Sequence, residues 1–318
     1  PISTVLIAIL LGILMGNAFT PRPGMMVGLD FTQQYILKLG IIFLGIRLSF
    51  EELIKFGSIA IPLIIICIIG VLILVKLLIK KVPISSKMSY LIAIGTSVCG
   101  ATAIVATAPV INAKKSEVAY AIANITLFGV IAMIVYPYFA EWYFDNDALK
   151  IGLFLGTSIH ETSQVAAAGL IYDQQFNSPE TLNVATVTKL IRNTFLVILI
   201  PLFAFLYNRG ELKGQKYSIL SIFPYFVIGF IGMIVVRNIG DQIFTTDNDS
   251  YVVWTNLIGY LKTLATVFLT MAMAAVGISI NLSELKSMGY KPFVVGLIAA
   301  ITVGFISLIY IETLIKFI

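Results

Sequence analysis

The residues with most chemistry in this chain sit inside its apolar segments. The stretch Gly156-Thr-Ser-Ile-His-Glu-Thr-Ser-Gln-Val-Ala-Ala-Ala-Gly169 carries the single histidine, His160, next to Glu161. An ionisable group at membrane depth is costly and marks an ion or substrate pathway. His160 and Glu161 are therefore expected to take up a coupling proton, with Ser158, Thr162 and Gln164 as neutral polar contacts. The competing reading is that these groups satisfy backbone freed by a break in the helix. The zinc-protease pattern His-Glu-x-x-His fails at Gln164, and no second histidine exists. Zinc needs three or four ligands, so no metal site is expected.

A second stretch, Ile94-Gly-Thr-Ser-Val-Cys-Gly-Ala-Thr-Ala-Ile104, crowds two glycines among Thr96, Ser97, Cys99, Ala101 and Thr102. A glycine costs about 1 kcal/mol in a helix interior. A broken helix is expected here, with Gly100 at the break and half-helix starts at Cys99–Ala101 and Glu161–Ser163. The free N–H groups and dipole of a helix start attract an anion. Close packing through small residues is the alternative.

A third group supplies charge. Asn183, Thr186, Lys189 and Asn193 follow at helical steps of three, three and four, with Arg192 beside them. Each buried cation costs about 2.5–3.5 kcal/mol on insertion scales. Glu161 could neutralise one; the other calls for an anionic ligand or the carbonyl end of a half-helix. A structural ion pair is the competing reading. Asn124, one helical face on from Glu117 and Tyr120, is expected either to line the same cavity or to make an interhelical packing bond. Lys38, Arg47 and Lys262 are read as snorkelling toward the interface.

The elements that position these groups follow from composition. Hydrophobic residues are 59% of the 318 and charged residues 12%, about half the charged share of soluble domains. Mean hydropathy is +0.99. A single soluble core could not hide so much apolar surface. The net charge of +5 is read as loop charge, and no nucleic-acid motif or partner is expected. Cys67 is read as packing, and the two cysteines give no disulfide framework. No phosphate loop, dinucleotide fingerprint or nucleophile elbow is present, and no cofactor is expected.

A spanning helix needs about 20 apolar residues. Ten segments qualify: Ile2–Ala18, Gln34–Phe50, Ser58–Ile79, Ser89–Ile111, Glu117–Ala140, Ala148–Tyr172, Leu182–Tyr207, Ile219–Ile239, Val253–Ile280 and Pro292–Phe317. The fold class is thus an all-α polytopic membrane protein with two broken helices, and residues 1–318 form one transmembrane domain. If every segment crosses, Arg22, Lys80, Lys81, Lys87, Arg209, Lys213, Lys216, Lys286 and Lys291 share one side. That side is cytoplasmic. Lys55, Lys114, Lys115 and most acids fall outside, and a re-entrant segment would reverse the side of every later loop. The chain then starts outside, and one further N-terminal helix is expected to precede Pro1.

Internal repeats are expected as well. Gly95-Thr-Ser-Val-Cys99 parallels Gly156-Thr-Ser-Ile-His160. Leu44-Gly-Ile-Arg-Leu-Ser49 with Glu52-Leu53 parallels Val276-Gly-Ile-Ser-Ile-Asn281 with Glu284-Leu285. The second pair would run in opposite directions, as in an inverted repeat. The first would run parallel if both segments cross, which one simple repeat does not accommodate.

At Gly95-Thr-Ser-Val-Cys-Gly-Ala-Thr-Ala-Ile104, Ser158-Ile-His-Glu-Thr-Ser-Gln-Val-Ala-Ala-Ala-Gly169, Lys189-Leu-Ile-Arg192 and Met271-Ala-Met-Ala-Ala-Val-Gly277, the chain resembles the YeiH family of bacterial inner-membrane proteins, described as candidate sulfate exporters. It is more distantly similar to bile-acid-sodium symporter-like carriers. The resemblance implies a secondary carrier in the bacterial inner membrane. The expected function is transport, outward, of a small inorganic sulfur oxyanion, sulfate or sulfite. Its site would comprise Thr96, Ser97, Cys99, Gly100, Ala101, Thr102, Asn124, Ser158, His160, Glu161, Thr162, Gln164, Lys189, Arg192 and Asn193. The expected partners are that anion, the lipid bilayer and a coupling proton or sodium ion, with a homodimer as an allowed assembly. The rivals are an ion-coupled importer of an organic anion and an intramembrane enzyme using Cys99, His160 and Glu161, which requires contact between nucleophile and base.

Overall fold

Short polar signals set where the helices start. Glu52 Oε2 accepts from the Ser49 N–H at 2.8 Å, and Ser49 Oγ accepts from the Glu52 N–H at 3.1 Å, a reciprocal capping box. This box corrects the expected segment Gln34–Phe50, because Phe50 opens the next helix. The preceding helix begins earlier, at Pro23, where the missing proline N–H breaks no helical bond.

The computed structural model describes residues 3–19, 22–78, 84–207, 224–245, 250–281 and 290–314. The helices are α1 (Thr4–Ala18), α2 (Pro23–Arg47), α3 (Phe50–Leu78), α4 (Ser86–Ser97), α5 (Ala101–Thr107), α6 (Lys115–Phe144) and α7 (Ala148–Ser158). They continue as α8 (Thr162–Phe176), α9 (Pro179–Thr194), α10 (Leu196–Tyr207), α11 (Phe226–Ile243), α12 (Ser250–Ser279) and α13 (Tyr290–Leu314). Among the described residues there is no strand, and seven helical stretches are long and apolar enough to cross a membrane. The expected loops Lys80-Lys81-Val-Pro83 and Arg209–Lys216, the acids Asp247 and Asp249, and the repeat element Glu284-Leu285 lie outside the described residues.

The helices pack as two groups. Helices α1, α2, α11 and α12 form a panel, while α3, α6, α9, α10 and α13 surround the two interrupted segments α4–α5 and α7–α8. Within the panel α1 lies backbone to backbone on α12. A methyl at Gly12 would come within 2.5 Å of the Ala274 carbonyl oxygen, and one at Gly277 within 2.5 Å of that of Ile9. Gly12 and Gly16 thus form a Gly-x-x-x-Gly face that lets two helices approach without side chains between them.

The two interrupted segments do not cross; each turns back. Lys87 Nζ, at the start of α4, donates to the Asn112 carbonyl beyond α5 at 2.7 Å. Ser85 also hydrogen-bonds Glu117 in the first turn of α6. The start of α4 and the exit from α5 therefore share one end of the bundle. The α7–α8 pair behaves likewise at the other end. Tyr172, late in α8, hydrogen-bonds Glu141, late in α6. Thr181 Oγ1, early in α9, donates to the Ala148 carbonyl that opens α7 at 3.4 Å. Helix α6 joins these two ends, and its 30 residues extend about 45 Å. The molecule thus contains two re-entrant hairpins entering from opposite ends.

This corrects the reading in which every segment crosses, and it sharpens the charge asymmetry. Two re-entrant segments reverse only α6, and with it the loops at its ends. Lys114 and Lys115 move to the end that holds Lys87, while Asp145 and Asp147 move to the end that holds Asp173. The end rich in lysine is the cytoplasmic one. Helices α4 and α7 now run in opposite senses, as an inverted repeat requires. So do α2 and α12: Gln33 Nε2 donates to Ser279 Oγ at 2.7 Å, while Gly40 packs on Leu269.

Apolar side chains face outward around the bundle, with Leu14, Val27 and Ile228 exposed. The polar helix α9 is shielded instead. Twelve of its 16 residues are buried, against four of the 18 in α11.

Candidate substrate site at the hairpin tips

Helix α4 stops after Ser97, and Gly100 takes φ 67°, ψ −126° before α5 begins. That region is open to glycine and strained for other residues. Helix α7 stops after Ser158, and Ile159 and Glu161 are extended before Thr162 opens α8. The breaks lie where the clustered glycines and hydroxyl residues pointed. The two tips also touch, since a methyl on Gly100 would lie 3.4 Å from Glu161 Cβ.

Helix α9 passes both tips. It runs parallel to α7, with the Val184 side chain seated on Gly152 and the Thr188 side chain on Gly156, so only side chains of α9 lie between them. It runs antiparallel to α8, with Asn193 Nδ2 donating to Thr162 Oγ1 at 2.9 Å and Gly169 against Leu182. Lys189 and Arg192 are both fully buried.

Lys189 Nζ donates to the carbonyls of Val98 (2.7 Å), Ile159 (3.0 Å) and His160 (2.5 Å). These account for all three ammonium donors. Arg192 donates from Nε to the Ser97 carbonyl (2.7 Å), from Nη1 to Thr157 (2.5 Å) and Ile159 (3.4 Å), and from Nη2 to Thr96. Both cations bind the carbonyl ends of α4 and α7, where unpaired oxygens and the helix dipoles concentrate negative potential. The sequence left two roles open for the cations, an anionic ligand or a half-helix carbonyl end, and the geometry is the second. Glu161 forms no ion pair with either among the described residues.

The charge does not cancel. Two cations contribute +2, the C-termini of α4 and α7 about −0.5 each and the N-termini of α5 and α8 about +0.5 each, which leaves about +2 at the tips before Glu161 is counted. Glu161 is the carboxylate adjoining that charge, at the start of α8. It is partly exposed, unlike His160.

The side chains around the tips carry unused polar atoms. Thr96 Oγ1, Ser97 Oγ, Ser158 Oγ, both ring nitrogens of His160, Ser163 Oγ, Thr188 Oγ1 and Asn193 Oδ1 are buried without a hydrogen-bond partner. Buried polar groups ordinarily find partners, so a cluster of this kind calls for an explanation. Other expected residues are engaged elsewhere. Asn124 donates to the Pro292 carbonyl at 2.8 Å, an interhelical bond made possible by Gly296 beside it. Gln164 Oε1 accepts from the Glu161 N–H at 3.3 Å, and its amide donates to the Thr126 carbonyl at 3.4 Å. Cys99 and Cys67 are free, buried thiols, and Cys99 makes no hydrogen bond to His160. Ala101 and Thr102 open α5.

Arg47 was read as snorkelling, but its Nη1 pairs with Asp173 Oδ2 at 2.9 Å. The sequence reading does not reach Thr188 or Asp173, and it reaches Ser163 only as the end of the half-helix start Glu161–Ser163. Ser163 and Thr188 carried a findable signal, as hydroxyls within one helical turn of Glu161 and Lys189.

The family model described as conserved hypothetical protein 698 matches residues 1–296. The chain is 33% identical to a UPF0324 membrane protein of Fusobacterium nucleatum, over 97% of this chain and 89% of the relative. It is 35% identical to a UPF0324 membrane protein of Streptococcus agalactiae, over 91% and 83%. It is 32% identical to the UPF0324 inner membrane protein YeiH of Escherichia coli, over 93% and 81%. No solved structure matches the chain.

Proposed function

The chain belongs to this family of conserved membrane proteins and is a multi-pass inner-membrane protein, and from that premise we propose that it is a secondary transporter of a small inorganic sulfur oxyanion, sulfate or sulfite, moving outward with its transport coupled to a proton. The observation that carries the reading is the meeting of two opposed re-entrant tips around unpartnered buried polar atoms. Non-helical backbone at membrane depth is tolerated where it is buried or lines a cavity, and broken helices frame the sites of secondary carriers.

The net positive charge at the tips supports an anionic cargo. An anion and the Glu161 carboxylate compete for that same charge. A proton on Glu161 removes the competitor, so anion binding and proton binding are coupled. Ser97, Ser158, Ser163 and His160 provide the hydrogen bonds, while Lys189 and Arg192 hold the tips rather than the cargo.

Two rivals are less well supported. A sodium-coupled importer of an organic anion would place sodium at half-helix carbonyls, and the Lys189 ammonium already binds the carbonyls of Val98, Ile159 and His160. An intramembrane enzyme needs contact between nucleophile and base, which Cys99 and His160 do not make.

The test is flux of radiolabelled sulfate and sulfite in proteoliposomes with an imposed pH gradient. Ser163→Ala removes an unpartnered hydroxyl, so folding stability should be unchanged or raised while flux falls. Saturable, gradient-driven flux lost in Ser163→Ala supports the reading. Absence of flux for both anions, or full flux in Ser163→Ala, overturns it.

A further inference from the structure

A cavity of about 360 Å³ lies where the panel meets the hairpin group, away from the tips, and its walls include Arg47, Glu52, Lys55, Glu180, Asn183 and Lys262. We propose that this cavity is a second anion site, the outer stop on the route to the tips, with Lys262 as its central charge. The inference takes its purpose from the transport reading, but its test does not depend on flux.

The charges in the cavity are mostly committed. Arg47 pairs with Asp173, on the end of the α7–α8 hairpin. Glu52 turns one oxygen to the Ser49 N–H and caps α3. Glu180 sits in the first turn of α9, where the helix dipole favours a carboxylate. Lys55 and Glu180 are exposed at the rim. Lys262 is different: it lies well inside α12, is half-buried, and no carboxylate pairs with it among the described residues. A recessed, unpaired ammonium level with the helix ends at Arg47, Glu52 and Glu180 is free to meet an anion. Arg47 Nε, buried and without a partner, adds a second donor.

The position fits an intermediate stop. Asn183 belongs both to the cavity and to the polar face of α9 that continues through Thr186 to Lys189. Asn183 and Lys189 are six residues apart, about 9 Å along a helix. An oxyanion drawn by Lys262 would compete with Asp173 for Arg47. Filling the site would then loosen the hydrogen-bonded ion pair that ties the hairpin to the panel. The cavity takes small oxyanions, sulfate and sulfite included.

The experiment is equilibrium dialysis of purified full chain against radiolabelled sulfate and, separately, sulfite, with sites per chain as the readout. Wild type should bind two anions of at least one kind. Lys262→Gln should bind one, with the lost site weakened about tenfold or more, and Lys262→Arg should restore it. Lys76→Gln, exposed at the other end of α3, should leave two. A single wild-type site that survives Lys262→Gln but is lost in Ser163→Ala overturns the cavity site and leaves the tip site standing. A single site lost only in Lys262→Gln upholds the cavity and overturns the tip site. Two sites persisting in Lys262→Gln, or none in wild type, overturn the inference. If Lys262→Gln does not fold, Lys262→Met and Arg47→Gln take its place with the same outcomes.

Discussion

Lys189 and Arg192 converge on one oxygen: the Ile159 carbonyl accepts from Lys189 Nζ at 3.0 Å and from Arg192 Nη1 at 3.4 Å. Two cations on one helix thus fasten the tips of two hairpins that enter from opposite ends. Their positive charge serves architecture first, and what remains after the helix dipoles are met is available to a ligand.

Arg192→Gln is expected to damage the fold before it damages binding. It strips donors from the carbonyls of Thr96, Ser97 and Thr157, which leaves dipole ends unmatched in a dry interior. The loss should be on the order of 3–5 kcal/mol, the range for removing one partner of a buried charged contact. Thermal unfolding of the purified protein measures it. An Arg192→Gln chain as stable as wild type would return the guanidinium to the role of anion ligand.

Gly100→Ala tests the first tip. The alanine must adopt φ 67° and meets Ile125 at 3.3 Å and Glu161 at 3.4 Å. The strain should cost about 1–3 kcal/mol and should also displace Glu161. Unfolding temperature and flux should therefore fall together. Gly232→Leu, where nothing lies within 4 Å, should change neither.

Glu161→Gln removes the carboxylate that competes with the anion. Flux should become independent of pH, and anion binding should no longer weaken as the solution is made more alkaline. Flux measured across several pH values in wild type and variant decides the matter. A profile unchanged by the substitution moves the coupling proton away from Glu161, with His160 as the next group to substitute.

Gly12→Leu probes the panel. Its side chain would collide with the Ala274 carbonyl and the Gly277 backbone, and backbone cannot rotate aside as a side chain can. Overpacking of this kind costs about 1–3 kcal/mol. A lowered unfolding temperature with anion binding at the tips retained would show that α1 and α12 support the site without forming it. The hydrogen bonds from Ser3 and Thr4 to Gln174 would weaken with it.

The solvent, the helical class and the positions of both breaks are legible in the order of the amino acids alone. Composition selects the bilayer, and there every backbone group must be satisfied locally, which leaves helices as the default. Gly95-Thr-Ser-Val-Cys-Gly100 and Gly156-Thr-Ser-Ile-His-Glu161 mark the interruptions because glycine and hydroxyl residues are unfavourable in an apolar helix interior. That these segments turn back is not legible there and rests on how the helices pack. A re-entrant hairpin and a kinked crossing helix have the same length, hydropathy and glycine content. The difference lies in long-range contacts such as Lys87 with Asn112 and Tyr172 with Glu141. The partners of Lys189 and Arg192 were undetermined for the same reason. A buried cation must be answered by negative charge, but a carboxylate, an anion and a ring of carbonyls all satisfy that demand. The choice depends on which helix ends the fold brings within 3 Å of the nitrogen atoms.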